Sequence, residues 1–148
     1  MEIETTRFGK LEIDDSKIIF FPSGILGFPE AKRYVLIPHA DDSPFLWLQA
    51  VDVPELAFLV ILPREVFENY SPDIPKEALK ELHFQDGDEI EFLGIVTVPP
   101  GKPQEMTVNL MGPIVLNVDK KLAKQVVLDQ DYPLKQPLKH LFEKPAAA

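Results

Sequence analysis

The stretch Gln85-Asp86-Gly87-Asp88-Glu89-Ile90-Glu91-Phe92, continuing through Leu93-Gly94-Ile95-Val96-Thr97-Val98, places this chain among β proteins. Asp86-Gly87 is a hairpin signal, because glycine tolerates the backbone angles that a tight turn between antiparallel strands demands. Glu89 to Phe92 then alternates with period two, so its carboxylates leave by one face and its apolar side chains by the other. From Leu93 to Val98 the run becomes more continuously apolar, as expected of a strand that passes into a region covered on both sides.

Upstream lies the one persuasive helical stretch. Pro75 suits a first turn, Glu77 favours the positive end of the dipole, and Ile74, Ala78, Leu79 and Leu82 share a face, which predicts a helix of about two to three turns. Farther upstream, prolines 22, 29, 38, 44, 54, 63 and 72 enclose Lys17 to Phe21, Arg33 to Ile37, Phe45 to Gln49 and Ala57 to Leu62. These segments are rich in Val, Ile, Leu and aromatic residues, and read as short strands. Downstream, Pro99 to Pro103 must be a loop; Met106 to Leu110, Ile114 to Val118 and Gln125 to Leu128 read as strands, with a helical turn expected over Lys120 to Lys124. Short strands with one or two short helices point to an all-β barrel or sandwich, and the missing crossover helices exclude a parallel βαβ architecture. One domain is expected over residues 1–143, with 144–148 as a frayed tail. Within its last part, Leu134, Leu138, Leu141 and Phe142 recur at near-helical spacing broken by Pro137; they either dock on the barrel, the expected outcome, or contact a partner.

A chain of 148 residues with 45% hydrophobic and 26% charged positions can bury a core unaided. It has no cysteine, hence no disulfide framework, thiolate metal site or cysteine nucleophile. The net charge of -9 repels phosphates, so direct nucleic-acid binding is not expected and a basic protein partner is. The excess is local: residues 1–100 carry 19 acids against 8 bases, and the remainder 5 against 7. The acidic start, Met1-Glu2-Ile3-Glu4, lacks the basic leader of a signal peptide, and the apolar run Leu56 to Leu62 is far short of the ~20 residues that span a membrane. A soluble cytoplasmic protein without a membrane partner is expected.

No catalytic, cofactor or metal site is expected. His39, His83 and His140 lie in separate segments without metal-ligand spacing, and no serine stands in a Gly-x-Ser-x-Gly elbow. Asp86, Asp88, Glu89 and Glu91 form the densest acidic group, with no base among them. Its glycine follows the first Asp directly, unlike a calcium loop, so the group reads either as a solvated hairpin or as a surface for a basic partner. Gly24 and Gly27 in Pro22-Ser23-Gly24-Ile25-Leu26-Gly27-Phe28-Pro29 are too few for a phosphate cradle. They are expected to permit positive φ or close backbone approach, with Ile25 and Phe28 tucked into the core. Phe45 and Trp47 are likewise expected in the core.

Four motifs in one order then resemble the FliW family of flagellar assembly factors: Pro22 to Glu30; Pro44 to Gln49 followed by Asp52-Val53-Pro54; Asn109 to Asn117; and Gln125 to Leu128 with Tyr132. The resemblance runs from about Phe8 to Tyr132. It implies a small flattened β-barrel without catalytic activity, acting in the bacterial cytoplasm as a partner switch. Such a protein binds flagellin and also CsrA, the regulator that blocks translation of flagellin messenger RNA, so that export of flagellin frees it to capture the regulator. Pro22, Gly24, Ile25, Gly27, Phe28, Trp47, Asn109, Pro113 and Gln125 are the motif residues, read as structural. Asp86, Asp88, Glu89 and Glu91 are expected to meet the basic partner. The other readings are an acidic interaction barrel with different clients and, behind it, a small hydrolase.

Overall fold

The computed structural model describes residues 1–142; the expected tail at 144–148 lies outside the described residues. An N-terminal hairpin of β1 (Glu2–Thr5) and β2 (Gly9–Glu12) stands apart from the main sheet. The main sheet follows the chain through β3 (Ile19–Phe20), β4 (Arg33–Pro38), β5 (Phe45–Ala50) and β6 (Ala57–Ile61). Two short helices, α1 (Pro63–Val66) and α2 (Lys76–Glu81), then lead into the long β7 (Ile90–Thr97). After it come β8 (Thr107–Val108), β9 (Ile114–Asn117), β10 (Leu122–Gln125) and β11 (Gln136–Pro137).

The order β7-β6-β5-β4-β3-β10-β9 closes on itself, because Ile90 to Leu93 of β7 pair with Asn117 to Ile114 of β9. The result is a closed seven-stranded barrel, antiparallel except where β10 meets β3 at Leu122 and Phe20. Closure removes free sheet edges from the ring. Past Leu93, β7 parts from β9, stays on β6 through Gly94 and Ile95, and pairs through Val96 and Thr97 with β8, which also carries β11. At Gly94 a Cβ would lie 2.4 Å from Val108 Cγ2, so the glycine is what lets the two strands approach there.

Strand alternation sorts the apolar side chains into three cores. Tyr34, Leu48, Val60, Leu93, Ile114, Leu116 and Ala123 point into the barrel. Their neighbours Phe92, Val96, Val108 and Val115 point out of it, where α2, residues 66–74 and the C-terminal segment cover them with Tyr70, Ala78, Leu82 and Leu138. Both faces of β7 and β9 are therefore buried, which is why their sequences lose strict alternation. On the other side of the barrel, Val35 and Val51 meet Ile3 of the hairpin, with Leu11, Ile18 and Ile37 packed around them.

Some expectations change. The helical turn over Lys120 to Lys124 is replaced by a tight turn, with Lys121 at φ +55°, leading into β10. Pairing thus runs over Leu122–Gln125, so the strand expected over Gln125 to Leu128 lies three residues sooner and ends where it was expected to begin. The run Met106 to Leu110 pairs only over Thr107–Val108, since residues 109–113 bulge out before β9 resumes along β7. Leu138 is buried and Leu141 packs on the outer core, so this part of the C-terminal segment docks on the barrel, whereas Leu134 stays exposed.

Candidate partner-binding surface

Two turns beside the barrel strands build the surface around the acidic group. The turn Gln85 to Asp88 joins α2 to β7, so the Asp-Gly signal marks a helix-to-strand turn and not the expected hairpin, while Asp119 to Lys121 joins β9 to β10. They meet because Ile90 pairs with Asn117, which sets Glu89 against Val118. Fully buried Asn117 knots them: its Nδ2 donates to the Leu82 carbonyl at 3.0 Å and to Asp88 Oδ2 at 3.1 Å, while its Oδ1 accepts from Lys120 N at 3.2 Å.

The four expected carboxylates divide. Asp88 accepts from the Lys120 ammonium, from Gln85 N at 3.0 Å and from Asn117. The Lys120 ammonium foremost, then the two other donors, holds its carboxyl below the usual aspartate range. Glu91 Oε1 accepts from Arg64 Nη2 at 2.9 Å and from Phe92 N at 3.0 Å, while the Arg64 guanidinium lies 4.9 Å from the Phe92 ring centroid. The group is thus not free of bases, as its local sequence indicated; Lys120 and Arg64 arrive from other elements. Asp86 and Glu89 stay exposed and unpaired among the described residues. Exposed Asp119, whose Oδ2 accepts from Glu89 N at 2.6 Å, joins them. No local signal marks Asp119, since only the β7–β9 register brings it there.

Most motif residues converge at another end of the barrel. Gly24 takes φ +66°, and a Cβ there would stand 2.6 Å from the Phe28 carbonyl oxygen and 2.7 Å from Pro29 Cα, so both expected uses of a glycine apply. Ile25 is buried in the barrel. Gln125 Oε1 accepts from Leu26 N at 3.1 Å while its Nε2 donates to the Gly112 carbonyl at 3.0 Å. Asn109 Oδ1 in turn accepts from Gly112 N at 2.8 Å, and the Pro113 carbonyl accepts from Val126 N. Three aromatic residues depart from expectation. Phe28 touches the Phe58 ring but is 43% exposed, because the bend at Gly27 turns it outward. Trp47 and Phe45 are only half-buried; Trp47 packs outside the barrel against Phe8, with the Arg7 guanidinium 3.9 Å from its ring centroid.

The family model described as FliW protein matches residues 2–138. The chain belongs to the FliW family. It is 44% identical over 138 residues to the flagellar assembly factor FliW of Magnetococcus marinus, covering 93% of this chain and 85% of that protein. It is equally 44% identical to the FliW protein of Geobacter sulfurreducens, covering 93% and 86%. A crystal structure of the flagellar assembly factor FliW superposes with a TM-score of 0.85 at 37% identity, over 93% of this chain and 96% of the other. The barrel is therefore the FliW fold.

Two further features of this FliW-family chain bear on partners. An open cleft of about 530 Å³ lies between residues 66–70 and the C-terminal segment, with Phe67, Tyr70, Leu110, Tyr132, Pro133 and His140 on its walls. Tyr70 donates to the Leu110 carbonyl at 2.8 Å, and burial pushes its phenol well above the usual tyrosine range. Among the described residues no three His, Cys, Asp or Glu side chains converge as metal ligands. His39 Nδ1 lies 3.2 Å from Ser43 Oγ on an exposed turn, and His140 faces the Phe67 ring. No helix among these residues is long and apolar enough to cross a membrane.

Proposed function

We propose that this FliW-family protein works in the cytoplasm as a non-enzymatic partner switch, binding flagellin and antagonising CsrA so that flagellin synthesis follows export. The observation that carries the reading is the set of unpaired carboxylates Asp86 and Glu89, with Asp119 beside them, on a chain of net charge -9. A regulator that binds RNA presents a basic surface, and unpaired carboxylates steer such a surface into contact. The same charge disfavours messenger RNA itself as a ligand. Capture of the regulator, not of its transcript, is the step that relieves repression. Flagellin has amphipathic helical ends, and the aromatic cleft of Phe67, Tyr70 and Tyr132 supplies an apolar wall of the kind a helix stripe fills. Occupation by flagellin then keeps the switch from the regulator, and export releases it.

Purifying the protein under native conditions from flagellated cells tests the reading. Flagellin and a small basic RNA-binding protein are expected among the retained partners, each displacing the other on addition. Retention of unrelated clients without either one would reduce the protein to a general acidic interaction barrel.

A further inference from the structure

Gln49 is fully buried on β5, and the two ends of its amide fare differently. Nε2 donates toward carbonyls of the turn that joins β5 to β6: Ala50 at 3.0 Å, Pro54 and Leu56 at 3.2 Å and Val53 at 3.5 Å. Those contacts fix the orientation, because turning the amide over would set Oε1 against four carbonyl oxygens. Oε1 is left without a hydrogen-bond donor among the described residues. The turn has none to spare: Ala50 N, Leu56 N and Thr6 N already donate to the Leu56, Val53 and Pro54 carbonyls at 2.9, 3.0 and 2.9 Å. A buried amide oxygen without a partner is costly, and its donor must here come from outside these elements.

A cleft gives the oxygen access to one. Gln49 lines a cavity of about 350 Å³ where the β1–β2 turn meets the β5–β6 turn, together with Thr6, Arg7, Pro54, Glu55 and Ala57. With Nε2 spent, Oε1 is the only polar atom its side chain can offer there. Glu55 is exposed and bonds to no base among the described residues. Arg7 carries its guanidinium onto Trp47, 3.9 Å from the ring centroid, and Trp47 is not part of the lining. The groups left to meet a ligand are therefore acceptors, one buried amide oxygen and one carboxylate, with apolar surface from Pro54 and Ala57 beside them.

We infer that this cleft binds a primary alkylammonium group, which donates to Gln49 Oε1 and pairs with the Glu55 carboxylate while its stem rests on Pro54 and Ala57. An ammonium carries three donors and no acceptor, which is what the cleft lacks, and its charge-assisted bonds are stronger than those of a neutral hydroxyl or amide. A ligand carboxylate or phosphate would meet only acceptors. A bare metal ion would need several oxygens at once, whereas the carbonyls of the turn already surround Nε2. The site is built from β5 and the N-terminal hairpin, and shares no residue with the acidic surface at Asp86, Glu89 and Asp119.

Butylammonium chloride is the probe, with tetramethylammonium chloride as a control of equal charge and no donors. In NMR spectra of the isotope-labelled full chain, the Gln49 side-chain amide resonances are expected to shift saturably with butylammonium and not with tetramethylammonium. Glu55→Gln should weaken that binding by about threefold at unchanged melting temperature, since Glu55 is exposed and bonds to no base among the described residues. Putrescine and a capped tripeptide with a central lysine then separate the sources, the tighter of the two naming a free diamine or a lysine of a partner protein. No saturable shift, which would mean that water serves Oε1, an equal shift with tetramethylammonium, or wild-type binding by Glu55→Gln would overturn the assignment.

Discussion

The amide of Asn117 donates to Asp88 at 3.1 Å and to the Leu82 carbonyl at 3.0 Å, so one fully buried side chain joins the end of α2 to the acidic turn. Asn117→Ala leaves a buried carbonyl and the Lys120 N–H without their partners, a loss of about 2–3 kcal/mol. Urea unfolding is expected to show the midpoint falling at unchanged slope, since the barrel itself stays closed. A midpoint equal to wild type would show that water replaces the amide.

Asp88 gives this knot a pH dependence. Its carboxyl is held below the usual value by Lys120 first, then by Gln85 N and Asn117. A depressed native value means that the unfolded chain binds the proton more readily, so the stabilisation is present above the ordinary carboxylate range, near 4, and lost as pH falls through the native value. Asp88→Asn should therefore be less stable than wild type at neutral pH, with the gap closing under acid. Parallel urea titrations at pH 7 and pH 3 measure it; a gap that widens in acid would contradict the assignment.

Gly24 and Gly27 offer an internal comparison, because both have positive φ but only Gly24 meets neighbouring backbone. Gly27→Ala should cost about 1–2 kcal/mol from its φ of +89° alone. Gly24→Ala adds a clash with the Phe28 and Pro29 backbone, for a total of about 2–5 kcal/mol. Thermal melts of the two variants separate backbone angle from close approach, and equal melting temperatures would mean that the loop yields.

How far the sequence foretold this molecule follows from which interactions are local. Strands β4 to β7 and β9 were legible because their apolar runs are bounded by prolines or turn residues, and the face of α2 because Ala78 and Leu82 recur at helical spacing. β10 was misplaced, since its start depends on Lys121 adopting a left-handed turn that no neighbouring residue announces. The β1–β2 hairpin was not anticipated: its short Glu- and Thr-rich strands are stabilised by apolar contact with Val35 and Val51, far along the chain. At the acidic turn the four carboxylates were legible as a group. Their division was not, because Lys120 lies 32 residues from Asp88 and Arg64 lies 27 from Glu91.

That division sets separate expectations for the four acids. Asp86 and Glu89 bond to no base among the described residues, so their replacement by Ser should leave urea stability near wild type. Binding to a basic regulator should change instead, with a several-fold slower association rate and a shallower dependence on salt, the signature of lost steering. Asp88→Ser and Glu91→Ser remove partners from Lys120 and Arg64, so these variants should lose stability first and affect binding only through the displaced turn. Stopped-flow association at several salt concentrations, run beside urea unfolding on all four single variants, distinguishes the pairs. If Asp86→Ser and Glu89→Ser keep the wild-type rate and salt slope while the regulator still binds, the encounter surface lies elsewhere on the barrel.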